Sequence, residues 1–361
     1  MSNSHRSRRR RMLVPVTVVV ALLAGAGVVA RVQGWPPFGG SAGAVQATPS
    51  APGTTSASTD PTVTAPSAPR SGGTSRLSIT PRSRPVLVAA VGDIACSPGS
   101  PAFNRGRGRG NECRQQAVAD LVVARRPAAF FALGDTQYDN GTLAAYQASY
   151  DKAFGRLLPI TRPVVGNHEY RTPGAAGYWD YFGGRAGPRG KGWYSFDIGT
   201  WHVVALNANC DVVSCAPGSE QERWLRADLS AHKTRCTLAM WHQPRWSSGS
   251  EHGDSTKAVA LVRALYDHRV DVLLSGHDHD YERFAPQDPD GGLDRARGVR
   301  QFVVGGGGKN LRTMTGEKNT EAKNASTFGA LFLSLGPGSY SWKYTAAYGG
   351  SYSDAGTTAC H

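Results

Sequence analysis

From residue 85 onward the sequence predicts a mixed α/β domain built on two β-sheets. Short apolar runs alternate with helical stretches in the first half, and strand follows strand in the second. Asp, Asn and His also recur directly after the apolar runs, as they do where the strand ends of an α/β sheet form a site.

The elements follow in order. Residues 85–91 (Pro-Val-Leu-Val-Ala-Ala-Val) form an unbroken apolar run, which predicts a buried strand. Residues 112–125 place Ala117, Leu121 and Val122 at helical spacing, with Asn111 as the expected N-cap. A second buried strand is predicted over 128–133, a helix over 143–154 and a short strand over 163–165. Residues 193–198 and 201–206 read as a hairpin around Gly199-Thr200. Helix, strand, helix and strand are then expected at 219–230, 236–241, 255–268 and 270–275, with further strands at 300–305, 329–335 and 340–345. No internal repeat is present.

The first 85 residues have a different character. Ten Arg stand there against one acid, Asp60, with no Lys, so nine of the thirteen net positive charges lie outside the predicted domain. Charge is therefore no argument for a nucleic-acid partner of the folded part. Arg6 to Arg11 precede an uncharged apolar run over 12–30, the layout of an export signal. A cleaved signal and a retained N-terminal membrane anchor fit this run equally, so residues 1–30 predict an exported protein, either secreted or held on the outer face of the cytoplasmic membrane. Residues 31–84, rich in Ser, Thr, Pro, Gly and Ala, predict a disordered linker, because too little apolar surface is available to offset ordering entropy. Residues 85–361 are the expected catalytic domain. All six cysteines lie there without C-x-x-C spacing, which in an exported chain favours disulfides. Fifteen pairings are possible; proximity favours Cys96 with Cys113 and Cys210 with Cys215, leaving Cys236 for Cys360.

Chemistry gathers after the strands. Asp93 follows the first, Asp135 and Tyr138 the second, Asn167 and His168 the third, His242 the run ending at Trp241, and His277 and His279 the run ending at Ser275. Taken singly, each has an ordinary structural explanation as a turn or a packed polar residue. Five such sites in one order do not. A phosphate ester is anionic and slow to hydrolyse, so its catalyst must neutralise charge and supply a nucleophile near neutral pH. Two metal ions can do both, and they require a shared carboxylate with imidazoles around it.

These motifs resemble those of the calcineurin-like metallophosphoesterase superfamily, and most closely its purple acid phosphatase branch, over roughly residues 86–345. The resemblance implies a four-layer αββα sandwich of two mixed sheets with a dinuclear site at the strand ends. The general first motif of that superfamily is Asp-x-His, but here it is Asp93-Ile94-Ala95. Purple acid phosphatases also lack that histidine and use a tyrosine three residues after the bridging aspartate, where Tyr138 stands after Asp135. By this resemblance Asp93, Tyr138 and His279 hold one metal, Asn167, His242 and His277 the other, and Asp135 bridges them. A tyrosinate ligand implies Fe(III) paired with Zn, Fe or Mn. The resemblance also gives His168 and His252 roles on the substrate phosphate or leaving group.

The expected function is hydrolysis of small phosphomonoesters through a metal-bound hydroxide. A phosphodiesterase or nucleotide hydrolase on the same site is the alternative, and a non-catalytic cell-surface binding protein a third. The partners expected are a phosphorylated small molecule, no specific nucleic acid, and a membrane tether through residues 12–30 if the anchor is retained; the oligomeric state is unknown. Arg105, Arg107 and Arg109, between Cys96 and Cys113, are expected to form a flexible cationic loop that steers anions to the site.

Overall fold

The computed structural model describes residues 84–361, so the expected export segment, membrane tether and linker lie outside the described residues. Among the described residues no helix is long and apolar enough to cross a membrane. In chain order the strands and α-helices are β1 (Val86–Val91), α1 (Gln115–Arg125), β2 (Ala129–Leu133), α2 (Leu143–Ala145), α3 (Asp151–Phe154), β3 (Thr161–Val164), α4 (Ala176–Phe182), β4 (Tyr194–Ile198), β5 (Trp201–Ala205), α5 (Glu220–Ala231), β6 (Cys236–Met240), α6 (Val259–Asp267), β7 (Val272–Ser275), β8 (Tyr281–Phe284), β9 (Arg300–Val304), β10 (Thr320–Asn324), β11 (Gly329–Leu335), β12 (Ser339–Ala346) and β13 (Ser353–Ala359).

They assemble a six-stranded sheet in the order β13-β12-β11-β1-β2-β3 and a seven-stranded sheet in the order β10-β8-β9-β7-β6-β5-β4. The strand period of two explains how these layers form. Leu238 and Met240 of β6 point into the core shared by the sheets, as do Val203 of β5, Val272 and Leu274 of β7, and Phe302 of β9. The alternate residues Val204, Ala239, Leu273 and Val303 face outward, onto Leu225 and Leu229 of α5 and Leu261, Val262 and Leu265 of α6. On the other side, α1 lays Val118, Ala119 and Val122 on the first sheet, and Phe154 of α3 stacks on Phe130 of β2 at 5.3 Å. The result is the αββα sandwich. Each fully buried Val, Leu or Phe in it contributes about 1.5–3 kcal/mol.

Several expectations are corrected. The helix expected from residue 112 begins at Gln115 without a side-chain cap. Asn111 instead donates to Leu311 O, and Cys113 N donates to Lys309 O, so the residues before the helix are spent pairing with the 309–311 segment. The helix expected over 255–268 is shorter because Ser255 N bonds Pro244 O, which holds that end in a turn. The helix at 220, by contrast, starts where the Ser219 side chain caps it. Ser219 accepts from Glu222 N at 3.2 Å, and Glu222 accepts from Gly218 N at 3.1 Å. β8, β10, β13 and α4 were not anticipated. Tyr281-Glu282-Arg283 lies in strand β8: Tyr281 and Arg283 bind Asp354 of β13, clasping the two sheets, while Glu282 accepts from Ser248.

The cysteines join as Cys96–Cys113, Cys210–Cys215 and Cys236–Cys360.

Candidate metal centre

The first three ligand-bearing loops leave the carboxyl ends of parallel β1, β2 and β3, and His242 and His277 leave those of parallel β6 and β7. All seven predicted ligands converge there. Asp93, Asp135 and His277 carry left-handed backbones with φ of 60°, 43° and 73°. Such conformations are costly for residues with side chains and concentrate at functional sites. Gly134, at φ 82°, ends β2 with no room for a side chain, since a Cβ would lie 2.5 Å from His242 Nδ1.

The donors form two sets that share Asp135. In the first, Tyr138 OH lies 2.9 Å from Asp93 Oδ1, 2.9 Å from His279 Nε2 and 3.1 Å from Asp135 Oδ2. In the second, His242 Nε2 lies 3.1 Å from Asn167 Oδ1, 3.2 Å from His277 Nδ1 and 3.3 Å from Asp135 Oδ2. Ligands at about 2.1 Å from one ion stand roughly 3.0–3.4 Å apart, the spacing seen in both sets.

The hydrogen bonding of the rings makes the fit stronger. His242 Nδ1 meets Leu133 O at 2.8 Å, and His279 Nδ1 meets Asn310 Oδ1 at 3.0 Å. Each Nδ1 is thus assigned as the donor, which leaves the Nε2 lone pairs facing the lone pairs of Asn167 Oδ1 and Asp93 Oδ1. Between such acceptors there must stand either a proton or a metal cation. The electrostatics show the same demand for positive charge, which protons meet in the absence of metal. Burial lowers the pKa of His242, but Asp135 outweighs it and holds the ring up at about 10. Burial, then Asp135 and Asp93, push Tyr138 well above its ordinary value, so only a nearby cation would let the phenol ionise. The residues present therefore fit a pair of metal ions.

His168 N donates to Asp135 Oδ1 at 2.8 Å, and its Nδ1 meets Asp139 O at 2.7 Å, leaving Nε2 3.9 Å from Asp135 Oδ2. It sits at the centre, as expected. His252 stacks on His277 with ring centroids 4.1 Å apart, but its Nε2 is taken by Arg312 Nη1 at 2.6 Å. Beside these rings, Asn167, Tyr170, Asn209, Gln243, His252 and Lys257 line part of a cavity of about 530 Å³. The arginine loop is braced from within: Arg114 donates to Arg107 O and Gly110 O, and Arg109 lines a separate hollow beside Asn310. Gly305–Gly308 is a strand-end turn packed against Gly92 and Asp278.

Three residues at the site escaped sequence reasoning: Glu169, Asn310 and Arg312. Glu169 is fully buried and accepts from Asp135 N, Thr136 N, Gln137 N and Gly166 N. It ties the loop after β2 to the loop after β3. Burial and Asp135 push its pKa up to about 7, against the pull of His242 and of the N–H donors. Glu169→Gln should cost about 3 kcal/mol, because an NH2 then faces two backbone donors. Denaturant unfolding of both proteins measures this, and a loss below about 1 kcal/mol would show that the cradle is dispensable.

The calcineurin-like phosphoesterase family profile matches residues 86–281, more than half of the chain. The chain belongs to that family. Within it the similarity runs to purple acid phosphatases. The chain is 32% identical over 178 residues to probable purple acid phosphatase 20 of Arabidopsis thaliana, covering 43% of this chain and 40% of that protein. It is 33% identical over 187 residues to purple acid phosphatase 21 of the same plant, covering 46% and 41%. The chain thus spans about two fifths of the length of these curated relatives. The structure of purple acid phosphatase PPD1 from yellow lupin (Lupinus luteus) seeds superposes with a TM-score of 0.63 at 20% identity, covering 77% of this chain and 54% of that one. That likeness is one of fold.

Proposed function

We propose that this chain is an exported, metal-dependent phosphoesterase that hydrolyses small phosphomonoesters at a dinuclear centre. The observation that carries the reading is the pair of donor sets sharing Asp135, each gathering oxygen and imidazole nitrogen atoms about 3 Å apart, the spacing of ligands on one ion. Two cations would there neutralise a phosphate ester and supply a nucleophile at neutral pH. Asp93, Tyr138 and His279 would hold the first ion, Asn167, His242 and His277 the second, and Asp135 would be shared by both. A phenolate donor suits Fe(III), with Zn, Fe or Mn as its partner. His168, its Nδ1 occupied by Asp139 O, presents Nε2 toward the leaving oxygen. The cavity beside Asn167 and His277 receives the leaving alcohol. Its volume also admits a second ester substituent, which favours a phosphodiesterase as the second reading.

The test is metal content and visible absorption of the protein and of Tyr138→Phe, with turnover of p-nitrophenyl phosphate and bis-p-nitrophenyl phosphate. We expect two metals per chain, faster monoester turnover and a phenolate–iron absorption band that Tyr138→Phe abolishes. Faster diester turnover would promote the second reading. A protein that bound no metal would sink both.

A further inference from the structure

Arg312 reaches from one donor set to the other. Its backbone N donates to His279 O at 3.2 Å, and Asn310, two residues earlier, holds His279 Nδ1. Its side chain then extends to His252, whose ring stacks on His277. The guanidinium is held at two points, Nη1 by His252 Nε2 at 2.6 Å and Nε by Glu251 Oε2 at 3.2 Å. Among the described residues Nη2 has no acceptor, and the side chain is 18% exposed. A fixed cation with unspent donors therefore stands at the rim of the centre.

The contact also constrains His252. A guanidinium only donates, so His252 Nε2 must accept and cannot deliver a proton to a leaving group while the contact lasts. The positive charge in this corner belongs to Arg312, and His252 orients it. On the proposed phosphoesterase reading, we infer that Arg312 is a substrate-binding residue that takes a non-bridging phosphoryl oxygen and selects monoesters over diesters. A monoester has three such oxygens and two negative charges at neutral pH, whereas a diester has two oxygens and one charge. A dinuclear centre engages two oxygens, so only the monoester offers the guanidinium a third. Arg suits this task because its planar fork matches phosphate geometry.

The experiment compares the wild-type protein with Arg312→Ala and Arg312→Lys. It measures kcat and KM for p-nitrophenyl phosphate and bis-p-nitrophenyl phosphate, binding of inorganic phosphate by calorimetry, metal content and Tm. For Arg312→Ala we expect monoester kcat/KM to fall roughly ten- to a hundredfold and phosphate binding to weaken about tenfold or more. Diester kcat/KM should change less than about threefold, with metal content unchanged; Arg312→Lys, keeping charge without the fork, should fall between. Phosphate affinity within about twofold of wild type, or an equal loss on both esters, would overturn the inference. If the metal-loaded wild type hydrolyses neither ester, the hydrolase reading fails on its own, and calorimetry still decides whether Arg312 binds the phosphate group.

Discussion

On the proposed reading, Asp135→Asn should reduce phosphomonoester turnover by at least about a thousandfold, because this carboxylate is the single donor common to both sets. Asn keeps the shape, and its amide oxygen can still accept from His168 N, as Asp135 Oδ1 does at 2.8 Å. What it removes is the charge. Burial raises the pKa of Asp135, but His242, with His168 and His277, more than offsets it and keeps the group ionised. Without that charge two cations must approach each other with no anion between them. Metal content should therefore drop by at least one ion per chain. The fold should survive, since Glu169 holds residues 135–137 through their backbone N–H groups. The metal-free variant should be less stable than metal-free wild type, because losing the Asp135 charge leaves the buried, protonated His242 without its partner. Elemental analysis beside turnover checks this; a variant with both metals and more than about a tenth of the activity would refute the bridging assignment.

The second large effect falls on stability. Cys236 begins β6 in one sheet, and Cys360 follows β13, the edge strand of the other, 124 residues later. Cross-linking a loop of that length restricts the unfolded chain by about 5 kcal/mol on the chain-entropy account, against about 2 kcal/mol for the five-residue separation of Cys210–Cys215. β13 has little else to hold it by burial, since its residues alternate between exposed and half-buried. Its other ties are the ladder with β12 and the bonds of Asp354 to Tyr281 and Arg283. Replacing both Cys236 and Cys360 by Ala should therefore lower unfolding stability by about 4–5 kcal/mol, roughly twice the loss for the Cys210/Cys215 pair. Denaturant midpoints at equal m-values measure the difference. Equal losses would mean that loop length does not govern the effect.

Much of the site was legible because its donors are written locally. Each predicted ligand is an Asp, Tyr, Asn or His within a few residues of an apolar strand, and an apolar run marks a strand even in a single sequence. Asp135 and Tyr138 share one loop, so their spacing was readable too. His252 shows the limit. Its role at the substrate was an expectation of the resemblance, but its stacking on His277 and its engagement by Arg312, 60 residues on, were not foreseen. Glu169 was visible as a residue, yet nothing local says that a buried carboxylate will collect four backbone N–H groups. β8 and β10 were missed because Glu282, Arg283 and the polar Thr320–Asn324 run carry no apolar period; their pairing comes from neighbouring strands.

The sequence by itself determined the donor types, the loops that carry them and the division into two sheets, because metal chemistry and strand burial each demand particular residues at short range. The tertiary structure decided which lone pairs face each other, which backbone Glu169 binds and where Arg312 aims its guanidinium. Those contacts join residues from about thirty to nearly two hundred positions apart, and it is the register of packed strands, not any local pattern, that brings such groups within 3.4 Å.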